Sequence, residues 1–192
     1  GSQPVRRPGA GGAGRRRVLV LRHGSRPTHT ADPLLDTRGE EQARRVAKYF
    51  SNPEAASPFG TAPITAVFCS PFARALQTGG PVALALGLPV RVEWGFSELL
   101  AQGWLHGSDP LPGLRSRSAS QVAKLAAPAC VDTSYESAVV PEYPDLVGQL
   151  RGRGSAADLG KRDRALRRHR AAVEAALRAT GGSILIVGHG SQ

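Results

Sequence analysis

Two histidines set among glycines and arginines carry the chemistry this sequence can offer. The first lies in Val18-Leu19-Val20-Leu21-Arg22-His23-Gly24-Ser25-Arg26, the second in Ser183-Ile184-Leu185-Ile186-Val187-Gly188-His189-Gly190. Each follows an apolar run of the kind that forms a strand buried on both faces inside a parallel sheet. Ligands of open α/β sheets bind just beyond the carboxyl ends of the strands. These runs therefore deliver Arg22, His23, Arg26 and His189 to the usual place for a site. Guanidinium groups take phosphate oxygens through paired hydrogen bonds, and a neutral imidazole among them can attack phosphorus. Side by side, the two strands would hold His23 and His189 at one rim. Gly24 lets the backbone turn sharply or come close to a ligand.

Four motifs, in order along the chain, resemble those of the histidine phosphatase superfamily, the phosphoglycerate mutase-like fold. Arg22-His23-Gly24-x-Arg26 is similar to its signature, and Asp32-Pro33-Leu34-Leu35-x-x-x-Gly39-x-x-Gln42-Ala43 to the segment that follows it. Cys69-Ser70-Pro71-x-x-Arg74-Ala75-x-Gln77-Thr78 resembles the second arginine motif, and Val187-Gly188-His189-Gly190 the second histidine motif. Arg91-Val92-Glu93-x-Gly95-x-x-Glu98, and more weakly Ala129 to Tyr135, look like the branch of the TULA/Sts phosphatases.

The resemblance implies a phosphomonoester hydrolase with a phosphohistidine intermediate. His23 would be the nucleophile, and Arg22, Arg26, Arg74 and a protonated His189 would bind the equatorial oxygens. Glu98 would protonate the leaving oxygen, with Glu93 its rival, read instead as a salt-bridge partner. A carboxyl beside Phe96, Leu99 and Leu100 is partly desolvated, which raises its pKa. No cofactor or metal is implied, because the guanidiniums carry the charge that magnesium carries elsewhere. The implied partner is a phosphorylated small molecule or phosphoprotein, and a homodimer is allowed. A phosphoglycerate mutase-type phosphotransferase and a non-catalytic phosphate-binding scaffold are the competing readings. All six expected catalytic positions are filled, which argues against the scaffold.

Composition sets the bounds. The chain has 192 residues, enough for one domain with a core. Its net charge of +10 suits acidic ligands. No zinc-ligand spacing or helix-turn-helix pattern accompanies that charge, so nucleic acid is not the expected partner. No apolar run spans a membrane and no secretory signal is visible. Two cysteines make no disulfide framework, and a reducing, cytoplasmic location is expected. The opening Gly1-Ser2 and the lack of methionine read as a tag remnant.

The elements that must position these groups alternate. Residues 1–16, rich in Gly, Pro and Arg, read as a disordered lead-in, and 17–192 as the domain. Arg15-Arg16-Arg17 reads as a solvated charge run, and His29 as an exposed loop residue. Thr37 to Phe50 reads as a helix, with Thr37 and Glu40 as a capping box. Ile64 to Cys69 is a strand, and Ser70-Pro71 should cap the helix that bears Arg74. That helix continues or restarts over 81–86 and ends at Gly87. Pro89 to Val92 is a short strand. Residues 103–158 show few periodic runs; the resemblance implies that such an insertion caps the pocket, with Trp104 and Tyr143 as core or crevice fillers. Asp158 to Thr180 is a helix with Leu159, Leu166, Val173 and Leu177 as its apolar stripe and Ala165, Ala172 and Ala176 beside it. Arg162, Arg164, Arg167, Arg168, His169 and Arg170 fall on its solvated face. The expected architecture is an α/β three-layer sandwich with a mostly parallel central sheet and helices on both faces. The chain ends at Gln192, where relatives continue with a helix and often another strand, so the resemblance implies that a C-terminal part is missing.

Overall fold

The computed structural model describes residues 15–28, 30–52, 62–100, 105, 108–143 and 156–190, with backbone alone for 156–163. Most of the lead-in, His29 and Trp104 lie outside the described residues.

Four strands form one sheet in the order β1-β4-β2-β3. They are β1 (Val18–Arg22), β2 (Ile64–Cys69), β3 (Val90–Val92) and β4 (Ser183–Gly188), and every pairing is parallel. Parallel neighbours need crossovers, which helices α1 (Thr37–Phe50), α2 (Ala73–Ala85) and α5 (Ala156–Arg178) supply. Strand residues alternate between faces, so the sheet builds two cores. Val67, Cys69, Leu185 and Val187 pack with Phe50 of α1, Leu76 and Val82 of α2, and Ala126 of α4 (Ala119–Ala126). Ala66, Phe68, Ile184 and Ile186 pack on the other face with Ala172 and Ala176 of α5. Helices thus cover both faces, as a three-layer α/β sandwich requires.

Several local expectations give way to the tertiary structure. β1 is an edge strand rather than a fully buried one: Leu19 and Leu21 pack on the first core, while Val20 is 59% exposed. Asp36, not Thr37, caps α1, its carboxylate accepting from the Gly39 amide at 2.7 Å. An aspartate one residue earlier reaches the same orphan amides. α2 begins at Ala73, so the cap position falls on Phe72, whose side chain offers no acceptor, and Ser70 lies two residues ahead of it with its hydroxyl against His189. Pro81 lies inside α2 without ending it, and Gly87 follows with the left-handed φ of +67°.

α5 departs furthest from its sequence pattern. Leu166 is 56% exposed, while Ala165, Arg168, His169, Ala172 and Ala176 are buried. Those five share one face at helical spacing. Ala172 brings the helix close to the turn after β3, where a Cβ on Gly95 would sit 2.5 Å from its own. Arg164, Arg167 and Arg170 are exposed as expected. Arg15, Arg16 and Arg17 are exposed, as expected, but Arg16 also has fixed partners. Its guanidinium donates to the carbonyls of Leu177 and Gly182 and to the Thr180 hydroxyl, closing the end of α5.

Within 103–158, α3 (Leu111–Arg115) and α4 are short, α4 held by a Ser118–Gln121 capping box. Leu111, Leu114 and Tyr143 join Phe72, Leu100 and Leu105 in a third apolar cluster. No helix of the described residues is long and apolar enough to cross a membrane.

Candidate active site

Strand register builds the site. Arg22 of β1 lies opposite Gly188 of β4, and the His23 amide donates to the Gly188 carbonyl at 2.9 Å. His23 and His189 therefore leave neighbouring strands at the same carboxyl rim. Their rings meet edge to face with centroids 5.3 Å apart. β2 ends alongside, where the Ser70 amide donates to the Val187 carbonyl. β3 leads through Glu93 and the 3-10 turn Trp94–Phe96 to Glu98.

The His23 tautomer follows from one contact. Its Nδ1 lies 2.7 Å from the Gly24 carbonyl, which only accepts, so Nδ1 carries the proton and Nε2 keeps its lone pair. Burial is the main cause that pushes its pKa down to about 4; Arg74, Arg22 and Arg26 lower it further, against the Gly24 bond. The ring is neutral at neutral pH, with desolvation a larger cause than the positive charge around it. Gly24 serves by close approach: a Cβ there would lie 2.7 Å from the Gly39 carbonyl oxygen.

His189 is 2% exposed. Its Nε2 lies 2.8 Å from the Ser70 hydroxyl, and its Nδ1 lies 3.3 Å from both Arg74 Nη2 and Glu98 Oε2. Burial lowers its pKa to about 3 despite the Glu98 carboxylate, with Arg74 and His23 adding to the shift. This imidazole is neutral, not protonated as expected, because full desolvation outweighs one nearby carboxylate.

Arg74 is 1% exposed. Its Nη2 lies 3.5 Å from Glu98 Oε2, and its Nη1 lies 3.5 Å from Asp32 Oδ1 and donates to the Ala31 carbonyl. Burial lowers its pKa to about 10, partly offset by Glu98 and Asp32, which leaves it charged. Its Nε is buried with no hydrogen-bond partner. Glu98 accepts from the Leu99 amide at Oε1 and turns Oε2 to Arg74 and His189. Among the described residues Glu93 has no ion-pair partner, in place of the salt bridge expected of it. Its carboxylate accepts from Tyr135 and Ser137 hydroxyls and from the amides of Gly95, Ala138 and Val139, as a buried carboxylate must.

A cleft of about 460 Å³ opens over His23, walled by Arg22, Arg26, Arg38 and Gln42. The Arg22 guanidinium lies so close to Gly190 that a Cβ there would be 3.2 Å from its Cζ. Arg26 donates to the Pro27 carbonyl. Arg74, Glu98 and His189 do not line this cleft. His23 is the residue shared by the open arginine wall and the buried cluster.

Sequence patterns missed five residues that shape the site. Ser70 matched a helix-cap pattern. Asp32, which takes the Ala73 amide and pairs with Arg117, sat in a motif without a role. Arg38, near the start of α1, was assigned no role but walls the cleft. Arg168 and His169 were hidden among arginines, though their spacing from Ala165 and Ala172 could have placed them on the buried face.

His23, Glu98 and His189 also form a group whose donor atoms lie within 4.8 Å of one another, the kind that can hold a metal ion. The guanidinium of Arg74, touching two of the three, favours an anion there over a cation.

Comparison with solved structures agrees on the fold. An ecdysone phosphate phosphatase of Bombix mori, solved with tungstate, superposes with a TM-score of 0.61 at 19% identity, over 91% of this chain and 73% of that one. A mycobacterial glucosyl-3-phosphoglycerate phosphatase with VO3 gives 0.53 at 20% identity, over 92% and 76%. No curated protein matches the sequence. Residues 18–108 match the family described as the histidine phosphatase superfamily, branch 1. That match takes in β1, β2 and β3 with His23, Arg74 and Glu98, and the shared fold agrees with it.

Proposed function

We propose that this protein is a phosphomonoester hydrolase that works through a phosphohistidine, without a metal ion. The observation that carries the reading is the His23 imidazole, neutral, with Nδ1 tied to the Gly24 carbonyl and guanidiniums on both sides. Nε2 attacks phosphorus in line, and the P–O bond to the leaving group breaks as the N–P bond forms. Arg22, Arg26 and Arg74 hold the equatorial oxygens, and the unpartnered Arg74 Nε supplies a further donor. A phosphate dianion beside His189 favours its protonated form, so substrate supplies the charge that burial withholds. Glu98 gives a proton to the leaving oxygen, then takes one from the water that cleaves the N–P bond.

Fold neighbours that are phosphatases support hydrolysis over the mutase reading, as does the resemblance of residues 91–98 to the TULA/Sts branch, where we place this chain. The substrate is a phosphorylated small molecule or phosphoprotein, and the location cytoplasmic.

The test is turnover of p-nitrophenyl phosphate by wild type and His23→Ala. Wild type should be active and inhibited by vanadate. His23→Ala should be inactive with an unchanged melting transition, and an alkaline denaturing quench, which spares the acid-labile N–P bond, should trap phosphohistidine in wild type alone. Full activity in His23→Ala sinks the assignment, and interconversion of 2- and 3-phosphoglycerate would transfer it to the mutase reading.

A further inference from the structure

We infer that Arg168 is a positioning residue for the general acid: its guanidinium on α5 grips the backbone of the segment that carries Glu98 and aims that carboxyl at the leaving oxygen. The inference rests on the reading of Glu98 as the acid.

Residues 97–100 have no regular secondary structure, yet Ser97, Glu98 and Leu100 are buried. Buried carbonyls of an irregular segment need donors from elsewhere. Arg168 supplies them. Its Nη1 donates to the Gly95 carbonyl at 2.7 Å and to the Ser97 carbonyl at 2.9 Å, and its Nη2 donates to the Glu98 carbonyl at 3.0 Å. His169 adds a contact from Nε2 to the Ser97 carbonyl at 3.1 Å. Three carbonyls within four residues thus converge on one planar group, which restrains the segment more tightly than separate bonds would.

The side chain of Glu98 depends on that restraint. Oε1 is held by the Leu99 amide, within the same segment, and Oε2 meets Arg74 and His189 at 3.3–3.5 Å. These are long contacts. They tolerate little displacement of the backbone before the carboxyl leaves the two groups it must face. A buried guanidinium is costly to desolvate, and a helix packed by alanines would accept an apolar residue at 168 if packing were the whole requirement.

The experiment uses the full chain and two substrates. p-Nitrophenyl phosphate has a leaving group that departs with little protonation, whereas ethyl phosphate needs the acid. In kcat/KM, which reports the steps up to phosphohistidine formation and leaves out its hydrolysis, Arg168→Gln should lose about tenfold or more on ethyl phosphate and stay within about threefold on p-nitrophenyl phosphate. Arg168→Lys, which keeps a donor for some of the carbonyls, should recover part of that loss. In a Glu98→Gln background, Arg168→Gln should add no further loss on ethyl phosphate, since both changes remove one function. Equal losses on the two substrates, or an undiminished loss in the Glu98→Gln background, would overturn the inference. So would the absence of a melting transition in both Arg168 variants, which would make the residue a requirement of the fold alone. A wild type that hydrolyses neither substrate, or a Glu98→Gln variant equally slow on both, would instead remove the proposed reaction or its acid.

Discussion

The Ser70 hydroxyl lies 2.8 Å from Nε2 of His189, and both groups are buried. This contact fixes the ring so that Nδ1 faces Arg74 and Glu98. Ser70→Ala leaves a buried ring nitrogen without its partner, at a cost of about 1–3 kcal/mol. The ring is then free to turn, and kcat on p-nitrophenyl phosphate should fall about tenfold or more. Thermal melting and steady-state rates measure the two effects. Unchanged values of both would show that the contact does not orient His189.

Stability should respond to acid in a defined window. His23 and His189 titrate near 4 and 3 in the native protein, against 6.5 for the ordinary side chain. Between about 4 and 6.5 the unfolded chain therefore binds more protons than the native one, so stability rises with pH there and levels off above it. Melting temperature should fall between pH 7 and pH 5, and less steeply in His23→Asn than in wild type. An equal slope in the two proteins would contradict the burial of a neutral His23. The same depressed value keeps the nucleophile unprotonated, so an acid limb in kcat/KM with a midpoint near 6.5 should not arise from His23.

Gly39 fits where no other residue does. A Cβ there would lie 2.0 Å from the Ser25 carbonyl oxygen and 2.9 Å from its amide nitrogen, both backbone atoms. Gly39→Ala must push α1 away from the loop that holds His23 and Arg26. The expected cost is about 1–3 kcal/mol, with a loss in kcat/KM as the loop shifts. Gly113 in α3 has open space about its Cα, and Gly113→Ala should gain up to about 1 kcal/mol with activity intact. Urea unfolding of both variants checks the contrast, and equal stabilities would refute it.

Two buried glutamates five residues apart should separate cleanly by mutation. Tyr135 donates to Glu93 at 2.6 Å, and burial with that carboxylate pushes the phenol pKa up. Tyr135→Phe should cost about 1–3 kcal/mol while keeping the dependence of rate on leaving group. Glu98→Gln should keep most of the stability and slow ethyl phosphate by about 10²-fold or more. The reverse pattern in melting and kinetics would exchange the roles of the two residues.

Much of this protein was legible before any coordinates. The apolar runs ending in Arg22-His23-Gly24 and Gly188-His189-Gly190 identify parallel strands and the end at which they present chemistry, because strand composition and glycine placement are local properties. The second arginine motif and the boundaries of α1 and β2 follow for the same reason. What failed was local inference at positions with two uses. Ser70 before Pro71 has the pattern of a cap, but α2 starts two residues later than that pattern implies and the hydroxyl lies against the His189 ring. Leu166 has the hydropathy of a core residue, yet α5 turns Arg168 and His169 inward, where Arg168 meets the carbonyls of Gly95, Ser97 and Glu98 and Ala172 packs closely on Gly95.

By itself, then, the sequence determined the strand-helix alternation, the two histidines and the arginines gathered with them, since residue type and spacing dictate each. Tertiary structure alone decided which strand became the edge, that both imidazoles are neutral, and that one of several arginines on α5 holds the segment bearing Glu98. Desolvation and distance set those outcomes, and both depend on neighbours that lie far away along the chain.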